Sequence, residues 1–201
     1  MDASSVSEHG KLFIRYRDER DPAAFERIME LYHLPLFHYL LRMLRKKEDA
    51  EDALQEVWLK VIRQRSSYCE QGRFSSWLYR IAHNYCLDLF RKRNYRPDEE
   101  EMSETSDGYA LLDGVASEYP TPHDLAVDNE VMSRVEKEVD CMPEAIREVF
   151  LLRIVHGVPF KQIAEIQDSP LGTVLSRMHQ AVKRLQAAIP LVADNSVVES
   201  A

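Results

Sequence analysis

The sequence predicts an all-α fold in two helical domains, and three observations carry that reading. Apolar residues recur at three- and four-residue spacing through two blocks, about 22–93 and 128–188, with no strand-like alternation of any length. Both blocks are rich in Leu, Ile, Ala, Glu, Lys and Arg and contain few glycines. Between them, Pro97, Gly108, Gly114, Pro120 and Pro122 stand among acids and serines. That composition cannot bury a core and reads as a flexible acidic linker. The expected division is a first domain over 1–96, a linker over 97–127, a second domain over 128–189 and a frayed tail over 190–201.

In the first block, Asp21-Pro22 opens a helix, because proline in the first turn loses no hydrogen bond. Phe25, Ile28, Met29, Tyr32 and Leu36 form its apolar stripe, and Pro35 is a place for it to bend or break. A second helix is expected over 49–64 and a third over 75–93, with residues 65–74 breaking the pattern between them. In the second block, one helix ends near Cys141 and Pro143 opens another through Val155. The His156-Gly157-Val158 turn follows, then a short helix over 159–166, a turn over 167–170 and a longer helix over 171–186. Short helix, tight turn and long helix outline a helix-turn-helix.

Charge distribution narrows the function classes. The net charge of −8 is concentrated in the middle of the chain. Residues 1–96 carry 18 Lys and Arg against 14 Asp and Glu, residues 97–140 carry 2 against 14, and residues 141–201 balance at 6 against 6. Both helical blocks are therefore free to meet a polyanion. No run approaches the roughly 20 apolar residues that span a bilayer. Residues 1–10 lack the basic start and apolar core of a secretion signal. Cys69, Cys86 and Cys141 are odd in number and form no C-x-x-C pair, so a cytoplasmic chain without a disulfide framework is expected. There is no Gly-rich phosphate loop, nucleophile elbow or H-E-x-x-H, and His83 with Cys86 lacks a second ligand pair. No cofactor, metal or enzymatic activity is expected. A small helical enzyme built around His83 would need a catalytic constellation the sequence does not supply.

Three constellations point to binding. On the helix over 49–64, Ala50, Ala53, Leu54, Val57, Trp58 and Val61 form the inner stripe. Asp52, Gln55, Glu56 and Arg63 lie opposite with Leu59 among them, an apolar anchor in a polar rim. The same pattern also describes a stray surface leucine. On the next helix, Trp77, Arg80, Asn84, Asp88 and Arg91 share a stripe, and Tyr68 and Phe74 precede it in a loop. Cations beside a ring and an amide suit a melted strand, whose bases stack on aromatics. A packed core with a basic helix end fits those residues too. On the last helix, Leu171, Val174, Leu175, Met178, Ala181, Val182 and Leu185 gather on one side, and Thr173, Ser176, Arg177, Gln180, Lys183 and Arg184 on the other. Hydroxyls, an amide and cations opposite a buried stripe can address phosphates and base edges in a major groove. Any amphipathic surface helix shares that outline.

Taken in order, these strings resemble extracytoplasmic-function sigma factors. In the first domain the resemblance rests on the string Ala50 to Leu59, on Phe74 to Asn84, and on Asp88 and Arg91. In the second it rests on Met142-Pro143, Arg147 to Phe150, Gln162 to Ala164, Gly172 to Arg177, and Ala181. The resemblance implies that Asp52, Gln55, Glu56 and Leu59 dock on the clamp helices of core RNA polymerase. It implies that Tyr68, Phe74, Trp77, Arg80, Asn84 and Arg91 melt and hold the minus-10 element. Thr173, Ser176, Arg177, Gln180, Lys183 and Arg184 would read the minus-35 element. The linker would thread toward the RNA exit path, and an anti-sigma protein joins promoter DNA and polymerase as an expected partner. Family members usually carry a cation where Leu175 stands, and often a glycine in the turn occupied by Gln167-Asp168-Ser169, which leaves the minus-35 preference open. A conventional helix-turn-helix regulator that never joins polymerase is the alternative; it would leave Leu59 and the Trp77 stripe without a task.

Overall fold

The computed structural model describes residues 7–69, 73–95 and 122–188, and those residues are helical apart from turns. The first domain opens with α1, Glu8–Ile14, extended by a wider turn over Arg15–Glu19. It continues with α2, Pro22–Leu44, α3, Lys47–Arg63, and α4, Phe74–Tyr95. The second holds α5, Pro122–Cys141, and α6, Glu144–Phe150, with a wider turn through Val155, then α7, Phe160–Ile166, and α8, Leu171–Ala188. The linker expected over 97–127 lies outside the described residues up to 121, and α5 already begins at Pro122.

Local chemistry sets these boundaries. The Asp21 carboxylate accepts from the Ala23 and Ala24 amides at 3.0 and 3.4 Å, so α2 starts as its Asp-Pro pair predicts. It ends where Arg45 turns left-handed at φ 68°. Pro35 neither breaks nor divides α2, which runs through it. The buried stripe of Ile28, Tyr32, Leu36, Tyr39, Leu40 and Met43 holds the helix together on both sides of the missing N–H. α1 precedes the first helix expected from the sequence, at Pro22. Ser7 caps that short helix by accepting from the Gly10 amide, and its Phe13 is fully buried.

The two domains also pack on each other, against the expectation of separate units. α7 lies on α4 and α6 on α2, and one continuous core runs from Phe13 to Ala181. The physical reason is a complementary polar seam. The Arg147 guanidinium donates to Asp140 O at 3.1 Å at the end of α5 and to Met43 O at 3.2 Å near the end of α2. A single cation therefore sits at two helix C-termini, one from each domain, where the peptide dipoles favour it. Arg42 adds ion pairs to Glu136 and Asp140 at 2.9 and 3.2 Å. Burial, with Arg45 adding repulsion, pulls the Arg147 pKa down to about 10, far enough above neutrality for it to stay charged.

Candidate functional surfaces

All six residues of the expected inner stripe of α3 are buried. Opposite them Asp52 and Gln55 are exposed, Glu56 is half-buried, and Leu59 is 42% exposed.

On α4 the residues divide between two faces. Arg80, Asn84, Asp88 and Arg91 are exposed in one row, whereas Trp77 is half-buried at its head. Tyr68 and Phe74 require a correction. They are 2% and 1% exposed, and Phe74 is the first residue of α4, not part of a loop. Phe13 from α1 explains this. Its ring lies 5.1 Å from Tyr68, 5.0 Å from Phe74 and 5.1 Å from Trp77, closing an aromatic cluster in which neither expected loop ring offers a face to a base. Arg17 secures the segment by donating to Tyr68 O at 2.6 Å.

In the helix-turn-helix, α8 buries Val174 and Ala181, with Met178 and Leu185 partly covered. The expected apolar side is narrower than its periodicity implied, because Leu171, Leu175 and Val182 are exposed. Leu175, at 45% exposure, leaves apolar surface available to a ligand. Ser176, Gln180, Lys183 and Arg184 are exposed and Thr173 is half-buried. Arg184 lies 3.6 Å from Glu138 of α5. Arg177 departs from its expected role. Its Nη1 donates to Gln167 Oε1 at 2.7 Å and Ser169 Oγ at 3.2 Å, so the guanidinium braces the turn. Asp168 in that turn adopts φ 46°, the left-handed conformation for which a glycine is often used and which a short acidic side chain tolerates.

Glu148, which in the sequence stands only within the family string, is a buried hub of the domain seam. It is 2% exposed, and its Oε1 accepts from Tyr39 OH at 2.5 Å and lies 2.8 Å from His83 Nδ1. Its Oε2 accepts from Gln167 Nε2 at 2.7 Å. His83 is therefore a partner in the domain seam. Cys86, its supposed companion, is fully buried, and burial followed by the Glu148 charge pushes its thiol pKa well up. Two adjacent charged residues, Arg147 and Glu148, leading into the apolar run Val149 to Leu152 were the available signal, since buried charges need partners.

Two comparisons of domain sequence match this arrangement. Residues 28–96 match Sigma-70 region 2, and residues 132–185 match Sigma-70, region 4. The chain belongs to the extracytoplasmic-function sigma factor family. It is 29% identical over 169 residues to the ECF RNA polymerase sigma factor SigW of Bacillus subtilis, covering 83% of this chain and 89% of that one. It is also 29% identical over 145 residues to the ECF RNA polymerase sigma-E factor of Escherichia coli K12, covering 72% and 76%. Its fold resembles that of RpoE from Bartonella quintana, solved with the anti-sigma factor NepR, with a TM-score of 0.63, 21% identity and coverage of 84% and 98%. It likewise resembles CnrH, solved with the cytosolic domain of CnrY, with a TM-score of 0.61, 17% identity and coverage of 88% and 94%.

As a sigma factor the chain binds core RNA polymerase and directs it to promoters, and the family is not enzymatic. The region 2 match removes the alternative of a regulator that uses the helix-turn-helix alone. Among the described residues, no helix is long and apolar enough to cross a membrane.

Proposed function

We propose that this sigma factor docks on polymerase through Asp52, Gln55, Glu56 and Leu59 of α3. It opens the minus-10 element with Trp77, Arg80, Asn84 and Arg91 of α4, and reads the minus-35 element with Thr173, Ser176, Gln180, Lys183 and Arg184 of α8. Tyr68 and Phe74 support Trp77 from within, and Arg177 sets the turn. The observation that carries this reading is the exposed Leu59 at the centre of a polar face whose inner stripe is fully committed to the core. Residues 96–121 connect the two readers, and the chain works in the cytoplasm beside polymerase. The solved neighbour RpoE carries the anti-sigma factor NepR in its complex, which supports a partner of that kind here.

Replacing Leu59 by Asp puts a charge at the centre of the patch. Central anchors carry at least about 2 kcal/mol, so core polymerase affinity should drop roughly 30-fold or more while the fold survives. A pull-down with a folded Leu59→Asp chain that retains wild-type affinity overturns the docking face.

A further inference from the structure

The start of α8 lacks a free side chain of the kind that reads guanine. A recognition helix meets base edges with its N-terminal turns, and the commonest specific contact there is Arg or Lys on guanine O6 and N7. From Leu171 to Gln180 the one Lys or Arg is Arg177. Its guanidinium is half-buried and donates to Gln167 Oε1 at 2.7 Å and Ser169 Oγ at 3.2 Å, so its donors are engaged by the turn. The next cation, Lys183, stands about two turns beyond Ser176 and suits phosphate.

What this end presents instead is apolar. Leu171 is 39% and Leu175 45% exposed, and their spacing puts them one above the other on one edge of the helix. Val174, Met178 and Ala181 make the helix's contacts with the core, so the exposed surface of the two leucines serves no packing of that core. Ser176, His179 and Gln180 are exposed beside Leu175, with Gln180 Nε2 3.4 Å from Ser176 Oγ. Gly172, one turn before Ser176, is exposed with open space where a Cβ would stand. The packing of the described residues therefore does not call for a glycine there, and its bare backbone lets a duplex come close to the start of α8.

We propose that Leu175 is a specificity-determining residue of the minus-35 contact and selects thymine by packing on its 5-methyl group in the major groove. The proposal rests on the reading of α8 as the minus-35 helix. Among the four bases, thymine alone adds a methyl to the major-groove edge. Against that methyl, the exposed face of Leu175 removes apolar surface from water on both sides of the contact. Against guanine, the same face strips water from O6 and N7 and offers no donor in return. Selection thus comes from an attraction to one base and a penalty on another. Gln180 adds an amide that can pair with adenine N6 and N7, so the exposed face of α8 suits A·T pairs.

The test uses the full chain with core polymerase and a duplex library randomised across the promoter segment, from which bound DNA is recovered and sequenced. Wild-type holoenzyme should enrich thymine at one or two positions of the upstream element. L175A should enrich no base there, and L175R should enrich guanine, whose O6 and N7 a free guanidinium can reach. On the duplex that wild type selects, replacing that thymine by deoxyuridine deletes the methyl alone. Wild-type affinity should drop about fourfold, the effect of one buried methyl, and L175A affinity should not respond. Leu175 is exposed, so L175A should fold and bind core polymerase as wild type does. An unchanged base preference in L175A, or an equal uracil penalty in both proteins, overturns the assignment. An equal loss on every sequence together with weakened core binding would put Leu175 against a protein and overturns it as well. Wild-type holoenzyme that binds the library yet enriches no upstream element would instead overturn the minus-35 reading of α8 beneath it.

Discussion

The two faces of α4 have opposite histories. One side, with Arg73, Ser76, Tyr79 and His83, is engaged by the second domain through Glu165, Gln162, His156 and Glu148. The other, with Arg80, Asn84, Asp88 and Arg91, is exposed along three turns of helix. Both faces are polar in sequence, and nothing in their composition separates them. The difference is that the engaged side is desolvated, so each polar group there needs a partner, whereas water serves the exposed side at little energetic cost. Mutations should expose that asymmetry.

The largest effect is expected at the carboxylate shared across the seam. Glu148→Ala leaves Tyr39, His83 and Gln167 without their common acceptor in a buried site. Stranding such groups should lower stability by about 3 kcal/mol or more. Arg80→Ala, on the exposed side, should change it by less than about 0.5 kcal/mol. Urea unfolding of the two variants checks the contrast, and equal losses would mean that the two faces of α4 are energetically alike.

Acidification should weaken the engaged side next. His156 lies against Tyr39 and Tyr79, with ring centroids 6.0 and 4.9 Å away. Burial, with a smaller contribution from His38, lowers its pKa from 6.5 to about 4. The closed, folded chain therefore holds it neutral at pH values where an unfolded chain protonates it. Its contribution is fully present above pH 6.5 and is lost as pH falls toward 4, amounting to about 2 kcal/mol at pH 5. Urea midpoints measured from pH 7 to pH 5 should fall, and His156→Asn should flatten that slope. An unchanged slope in the variant would place the acid sensitivity elsewhere.

A smaller contrast of the same kind separates Arg177 from Lys183 on α8. Arg177 is tied to Gln167 and Ser169, so Arg177→Ala should cost the second domain about 1 kcal/mol and weaken DNA binding by loosening the turn. Lys183 is exposed, so Lys183→Ala should leave stability unchanged and make the logarithmic salt dependence shallower by about 1. Thermal unfolding paired with a salt titration of holoenzyme on promoter DNA distinguishes them.

These contrasts mark what could be read in the chain. The long helices, the helix-turn-helix and the α3 stripe were legible because period and capping are local, and Asp21-Pro22 and Pro143 announce their helices within a few residues. α1 escaped because seven residues give too short a periodic signal. Tyr68 and Phe74 were placed at a surface because the residue that covers them, Phe13, is more than fifty positions away. The seam was illegible for the same reason: Tyr39 and Glu148 are separated by 109 positions. Apolar periodicity identifies which side of a helix is buried without identifying what buries it.

The smallest effect on stability is expected at Asn84, where the functional effect should be selective. Its side chain is exposed, one turn from Arg80 and two from Arg91, and no protein group in the seam depends on it. Asn84→Ala should therefore shift the unfolding free energy by less than about 0.5 kcal/mol. An amide can address the Watson–Crick edge of a base only after that base has left its pair. Intact duplex offers Asn84 phosphates at most, so closed binding should hardly change, whereas a melted strand loses a hydrogen bond that discriminates among bases. Initiation on linear duplex should slow by roughly tenfold, matching about 1.4 kcal/mol for one such contact. A template already melted at the minus-10 element should recover part of that loss, because strand separation no longer depends on the contact. Transcript yields from duplex and bubble templates at one holoenzyme concentration give the comparison. Equal impairment on both would make Asn84 a general contact, and equal activity on both would remove the exposed side of α4 from strand opening.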